Sequence, residues 1–110
     1  MHAKKLRLDQ ESLEKLEDLA SAGYSPEKCA MYLDVPKADF MAEYFDLDSF
    51  VHYHYRRGML MNEAEGAMKL AEKAREGNIT AMQQLDKIRR QQFVENEKRR
   101  ILYGEETPGL

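Results

Sequence analysis

The chain has 110 residues, a hydrophobic fraction of 43%, a charged fraction of 34% and a net charge of −3 at neutral pH. This size fits one domain, or a small head with an extension too thin to have its own core. No apolar run approaches the roughly 20 residues that span a bilayer, and the N-terminus lacks the apolar core of a secretory signal. A single cysteine excludes an internal disulfide framework and favours a reducing, cytosolic setting.

Three short helices are predicted first. The first begins at or just after Asp9 and ends at Gly23, because glycine adopts the left-handed conformation that closes a helix. Ser25 and Pro26 open the second helix as its cap and first-turn residue, and the third runs over residues 37–44. Apolar spacing of three and four residues predicts their inward faces: Leu13, Leu16, Leu19, Ala20, Cys29, Ala30, Tyr32, Leu33, Phe40, Met41 and Tyr44.

A long fourth helix is predicted over residues 49–76, where no proline occurs. Asp46 or Asp48 is the preferred cap, and Ser49 is the weaker candidate. Glycine within a helix is unfavourable. Gly58 therefore indicates either a close approach or kink of the helix, or a simple break in it.

The fourth helix is predicted to stop at Gly77, and Asn78 is predicted to cap a fifth helix that continues to about Leu102. Small alanines flank this turn on both sides, which predicts that the two long helices fold back on each other. The fold class is therefore all-α. We expect a helix-turn-helix head over residues 1–46, an antiparallel helical hairpin over residues 47–102 and a flexible tail over residues 103–110.

Chemical sites receive little support from the sequence. His52 and His54 would point about 200° apart on a helix, which argues against a shared metal ion. The cluster of Tyr53, Tyr55, Arg56 and Arg57 favours helix packing with paired arginines over nucleic-acid stacking. Cys29 is predicted to be a buried, inert thiol. No catalytic constellation or phosphate-binding loop is present, so we expect a non-enzymatic protein without a metal or cofactor.

Self-assembly is favoured because the apolar residues of the long helices spread over more than one face. Packing hairpins side by side would cover those residues, and a heterologous contact that closes forms a ring. The predicted interface between copies consists of Tyr53, Arg57, Leu60, Met61, Met68, Leu85 and Ile88.

DNA binding is expected at the head, where the third helix of a helix-turn-helix would enter the major groove. Its outward residues are predicted to include Lys37, Ala38, Asp39, Ala42 and Glu43. Residues 1–45 carry six Lys or Arg against nine Asp or Glu, which disfavours phosphate binding by a single copy. A helix-turn-helix used only for packing is the alternative. The predicted DNA-contacting residues are Lys4, Lys5 and Arg7 in a basic arm, together with Ser25, Lys28 and Lys37.

Two segments carry a resemblance to a known family. The segment LASAGYSPEKCAMYL (19–33) resembles the first two helices of the helix-turn-helix in small terminase subunits of tailed bacteriophages. The segment AEKAREGNITA (71–81) is similar to the alanine- and glycine-rich turn that precedes a helix in that family. Order and spacing over residues 10–103 carry the resemblance more than any single residue does.

The resemblance implies a non-enzymatic DNA-packaging factor in the host cytoplasm. It implies a ring of about eight or more copies, recognition of double-stranded viral DNA and regulation of the large terminase subunit, which is the ATPase and nuclease. Residues 25–44 would face DNA, residues 48–102 would form the ring, and residues 103–110 would contact the large subunit or the portal. The acidic third helix and the short tail depart from the family pattern.

Two other functions are compatible with the same helices. One is a helix-turn-helix transcriptional regulator that is dimeric through the hairpin, for which a palindromic DNA site is expected. The other is a structural virion or adaptor protein that binds protein alone. DNA binding that weakens steeply with salt would argue against this last function.

Overall fold

Five helices follow one another in the computed structural model, which describes residues 6–104. They are α1 (Gln10–Ser21), α2 (Pro26–Tyr32), α3 (Lys37–Phe45), α4 (Phe50–Arg75) and α5 (Ile79–Tyr103). No strand occurs among the described residues, so the predicted all-α class is confirmed for that part of the chain. None of these helices is both long enough and apolar enough to cross a bilayer. The chain divides into two compact units within α4, after Ala64, whereas the sequence places its functional boundary at residue 46.

The first two helices begin where the sequence predicts. The Asp9 carboxylate accepts a hydrogen bond from the Ser12 amide at 2.8 Å, which also lowers the pKa of Asp9. The Ser25 hydroxyl accepts from the Lys28 amide at 3.3 Å, and Gly23 takes the left-handed conformation, with φ +91°. These local signals fix the turn between α1 and α2.

The core of the first unit draws residues from its four helical segments. Its fully buried members are Leu16, Ala20, Cys29, Ala30, Phe40, Val51 and Tyr55. The prediction that Tyr32 faces this core is wrong, because its side chain is 61% exposed. At about 100° per residue, Tyr32 lies roughly 100° from the centre of the face formed by Cys29, Ala30 and Leu33, so a helix of seven residues cannot bury it with them.

The cap of α4 differs from the preferred prediction. Ser49, not Asp46 or Asp48, precedes the first helical residue, and its hydroxyl accepts from the His52 amide at 3.0 Å. The same hydroxyl donates to the Glu43 carbonyl. Ser49 is buried, so both hydrogen bonds are needed to offset the loss of water. Asp46 instead accepts from the Asp48 amide and closes the preceding turn.

The helix continues through Gly58, so the predicted break at that residue does not occur. Gly58 is buried against the backbone of Glu17 in α1. A Cβ atom added at Gly58 would overlap the Glu17 carbonyl oxygen and lie 2.9 Å from its Cα. The glycine is therefore explained by a close helix approach, one of the two alternatives that the sequence leaves open.

The turn between α4 and α5 forms as predicted. The Asn78 amide donates to the Lys73 carbonyl at 3.1 Å, and Gly77 is left-handed with φ +93°. Asn78 also caps α5, because its side chain accepts from the Ala81 amide at 2.9 Å. In this second unit Ala81 and Leu85 are buried. The half-buried positions at helical spacing are Ala67, Leu70, Ala71, Ala74 and Ile88.

Candidate nucleic-acid and assembly surfaces

The predicted DNA-contacting residues lie in the first unit, and those described fall into two groups. Arg7, Lys28 and Lys37 are exposed. Ser25 is half-buried and its hydroxyl already caps α2, which leaves it less available to a phosphate. Lys4 and Lys5 lie outside the described residues.

The predicted outward residues of α3 differ in exposure. Lys37, Ala38 and Ala42 are exposed, whereas Asp39 and Glu43 are half-buried. Both acidic side chains remain partly accessible, so the outward face keeps the two acids that the sequence predicts. Glu43 sits at the rim of a cleft, and its backbone carbonyl accepts the Ser49 hydroxyl. Phe45, at the end of α3, is also exposed.

The predicted assembly residues are exposed on α4 but not on α5. The predicted apolar residues on α4, Tyr53, Leu60, Met61 and Met68, have exposed fractions from 40% to 60%. Leu85 is 8% exposed and Ile88 is half-buried, so their side chains pack within their own unit. The exposed apolar residues on α5 include Met82, Phe93 and Val94. They are better placed than Leu85 to meet a second copy.

Arg57, also predicted at the interface between copies, forms an ion pair within its own chain. The Glu17 carboxylate accepts from Arg57 Nη1 at 2.6 Å and lies 2.6 Å from His54 Nδ1. The side chain of Glu17 is 12% exposed and that of His54 is 17% exposed. This ion-pair cluster joins α1 to α4 immediately beside the Gly58 contact. We therefore assign Arg57 a structural role within the first unit.

The two histidines serve different partners. His52 Nδ1 lies 2.9 Å from the Tyr44 carbonyl, whereas His54 contacts Glu17. Within residues 6–104 no group of three or more His, Cys, Asp or Glu side chains is placed to hold a metal ion. The pair thus ties α4 to two neighbouring elements rather than forming one site.

An apolar cleft at the N-terminal end of α4 was not anticipated from the sequence. Its volume is about 380 Å³, and it is lined by Leu6, Leu8, Leu13, Phe50 and Val51 with Arg7 and Glu43 at its edge. Phe45, Leu47 and Phe50 are all more than 70% exposed around the same turn. The signal in the sequence was three apolar residues within the six positions 45–50, where α3 ends and α4 begins, and helical periodicity does not reveal such a cluster.

Cys29 is fully buried beside the Tyr24 carbonyl, which accepts a hydrogen bond from Tyr55 Oη at 2.9 Å and a weak one from the thiol. Burial raises the pKa of the Cys29 thiol to about 11, and burial also raises the pKa of Tyr55. The thiol therefore stays protonated at neutral pH, which is opposite to what a nucleophilic cysteine requires.

The free energy of unfolding should fall at alkaline pH because of this thiol. The folded pKa of about 11 exceeds the ordinary value of 9.0. Between these values the folded state binds more protons than the unfolded state, so stability is present below about pH 9 and is lost towards pH 11. We expect a loss of about 1 kcal/mol by pH 10, measured by urea unfolding. Cys29→Ala should flatten this decline, and parallel pH curves for the two proteins would contradict the assignment.

Comparison with known proteins returns no relative. No protein-family model, curated protein or solved structure matches the chain.

Proposed function

We propose that this protein is a DNA-packaging factor of the small terminase type, which assembles into a ring, recognises viral DNA and regulates a large terminase subunit. The observation that carries the proposal is the amount of apolar side chain that a single copy leaves exposed on its two long helices. Met68 on α4 is 59% exposed, and Phe93 on α5 is 58% exposed. Such surfaces mark contacts with other proteins.

The connection between the long helices supports a hairpin. Only residues 76–78 separate α4 from α5, and connections this short join antiparallel neighbours. Alanines on the inner side of α4 would allow α5 to lie close, with Ala81 and Leu85 packed against them. Each hairpin would then present its methionines outward, and methionine adapts well to a neighbouring surface.

A closed ring is the assembly that this arrangement favours. A neighbour that joins the exposed residues of α4 in one copy to those of α5 in the next makes a heterologous contact. Repetition of such a contact forms a ring when the rotation between copies closes, and an open filament when it does not. A stable contact buries about 800 Å² of accessible surface on each partner. Long helices can supply this area along their length.

The head, α1 to α3, is proposed as a helix-turn-helix that faces DNA. Short turns connect its helices, and the exposed residues of α3 include Lys37, Ala38 and Ala42. One copy would bind weakly. Many copies in a ring would act together, since linked weak contacts raise the overall affinity by orders of magnitude. Residues 103–110 are proposed as the contact with the large subunit, although all but Tyr103 and Gly104 lie outside the described residues.

The native mass of the purified protein in near-physiological salt tests the assembly. We expect a closed species of about eight or more copies, measured by native mass spectrometry and by light scattering after size exclusion. A monomer or dimer at micromolar concentration would contradict the ring and would favour the dimeric transcriptional regulator. Binding of duplex DNA by the assembled species, measured across a salt series, then tests the packaging role.

A further inference from the structure

Positive charge is concentrated in α5 rather than in the head. The head, residues 1–46, holds six Lys or Arg against ten Asp or Glu, a balance of −4. The helix α5 alone holds six Lys or Arg against three Asp or Glu, a balance of +3 in a chain of net charge −3. Phosphate neutralisation supplies essentially all non-specific DNA affinity. The proposed DNA-reading head is thus the part of the chain least suited to supply it.

The cations of α5 include three that line one side of the helix. Lys87, Arg90 and Lys98, together with Gln91 and Val94, recur at intervals of three and four residues, which places them on one face. Together with Glu95 they line a shallow cleft of about 500 Å³. At a rise of about 1.5 Å per residue, Lys87 and Lys98 are about 16 Å apart along the helix axis. We call this surface the basic face of α5.

The charges on the basic face are available to a ligand. Within residues 6–104, neither Lys87 nor Lys98 forms an ion pair. Arg90 contacts Asp86 at 2.9 Å, but both side chains are more than half exposed. Exposed pairs four residues apart on a helix contribute little, because water screens both charges. A phosphate group would therefore meet little competition for any of the three cations.

We propose that the basic face of α5 binds the phosphate backbone of double-stranded DNA and provides most of the affinity of the protein for DNA. This inference rests on the proposed function for its choice of DNA as the partner. The chemistry favours a long, regular polyanion: phosphates recur every 3.4 Å along each strand, so cations spread over about 16 Å find partners at any position on the duplex. Gln91 adds a neutral hydrogen-bond donor between them. The head would then supply orientation or sequence preference instead of affinity.

A matched pair of charge-reversal variants tests this division. K87E/K98E reverses two cations of the basic face, whereas K28E/K37E reverses two exposed cations of the head, and both variants have the same net charge. The probe is a fluorescent duplex of about 30 base pairs and arbitrary sequence, titrated by anisotropy between about 50 and 200 mM salt. We expect K87E/K98E to lose at least tenfold in affinity, and K28E/K37E, whose lysines belong to the proposed DNA-facing head, to show a smaller loss of about threefold. The salt dependence should also become shallower only in the α5 variant.

Helix content and native mass are recorded for each variant, and K87Q/K98Q replaces the reversal variant if the latter fails to fold. Affinity retained in the α5 variant, or an equal or larger loss in the head variant, would overturn the inference while leaving a DNA-binding function intact. A folded α5 variant that no longer assembles would place the basic face between copies and would also overturn it. Absence of DNA binding by the wild-type ring at 50 mM salt would contradict the packaging proposal itself.

Discussion

Replacing Gly58 by alanine should lower the free energy of unfolding by about 3 kcal/mol, because the new methyl group has no space. It would overlap the backbone carbonyl oxygen of Glu17, and backbone atoms cannot rotate away as a flexible side chain can. Relief requires that α4 move away from α1. We expect a fall in the midpoint of thermal unfolding of more than about 10 °C, measured by circular dichroism at one protein concentration.

Gly66→Ala is the matched control for this variant. Gly66 lies within the same helix, and a Cβ atom built there meets nothing within 4 Å. Alanine is favoured over glycine inside a helix by about 0.5–1 kcal/mol, so this variant should be slightly more stable than the wild type. The two substitutions must change the free energy of unfolding in opposite directions. Similar effects on stability would mean that Gly58 does not mark a close contact.

The contact at Gly58 also explains how Glu17 reaches two partners. Because the two backbones touch there, the Glu17 carboxylate lies within 2.6 Å of both His54 and Arg57, which are four and one residues before the glycine. A helix held further away would leave a carboxylate that is mostly buried without its ion pair, and breaking such a pair is costly. The stability effect of Gly58→Ala thus includes weakening of this cluster.

Local signals in the sequence predicted the helix boundaries well. Ser25 and Asn78 cap helices as expected, the first helix begins just after Asp9 as expected, and Gly23 and Gly77 close helices. Each of these residues interacts with backbone groups only three or four residues away, so a short stretch of sequence contains both partners of the interaction. Ser49 shows where this local reasoning fails. Aspartate and serine cap almost equally well, and the choice at α4 depended on burial and on the carbonyl of Glu43.

Interactions between distant residues were not predictable in the same way. Glu17 lies 37 residues before His54 and 40 before Arg57, and no spacing rule joins a residue of one helix to a residue of another. The same limit applies to Leu85, whose apolar character suits the inside of a hairpin as well as a surface between copies. The sequence identifies that a side chain is apolar, but only the packing of the chain decides which neighbour covers it.

Assembly should be lost when a charge is placed on the exposed apolar surface of α4. Leu60→Asp and Met68→Asp each put a carboxylate on a side chain that is about 60% exposed in one copy and that the proposed ring would bury. Burial of an unpaired charge costs several kcal/mol. That cost recurs at every contact of a ring, so we expect monomers or small oligomers in place of the closed species by native mass spectrometry.

Folding itself should survive these substitutions, because exposed positions rarely change stability by more than about 0.5 kcal/mol. Helix content by circular dichroism checks this. Met31→Asp is the control, since Met31 on α2 is 83% exposed and the proposed interface does not include it. A ring that persists in both α4 variants would contradict the interface. All three variants lower the net charge by the same amount. Loss of the ring in the Met31 variant as well would therefore show that assembly depends on the net charge of the protein and not on the α4 surface.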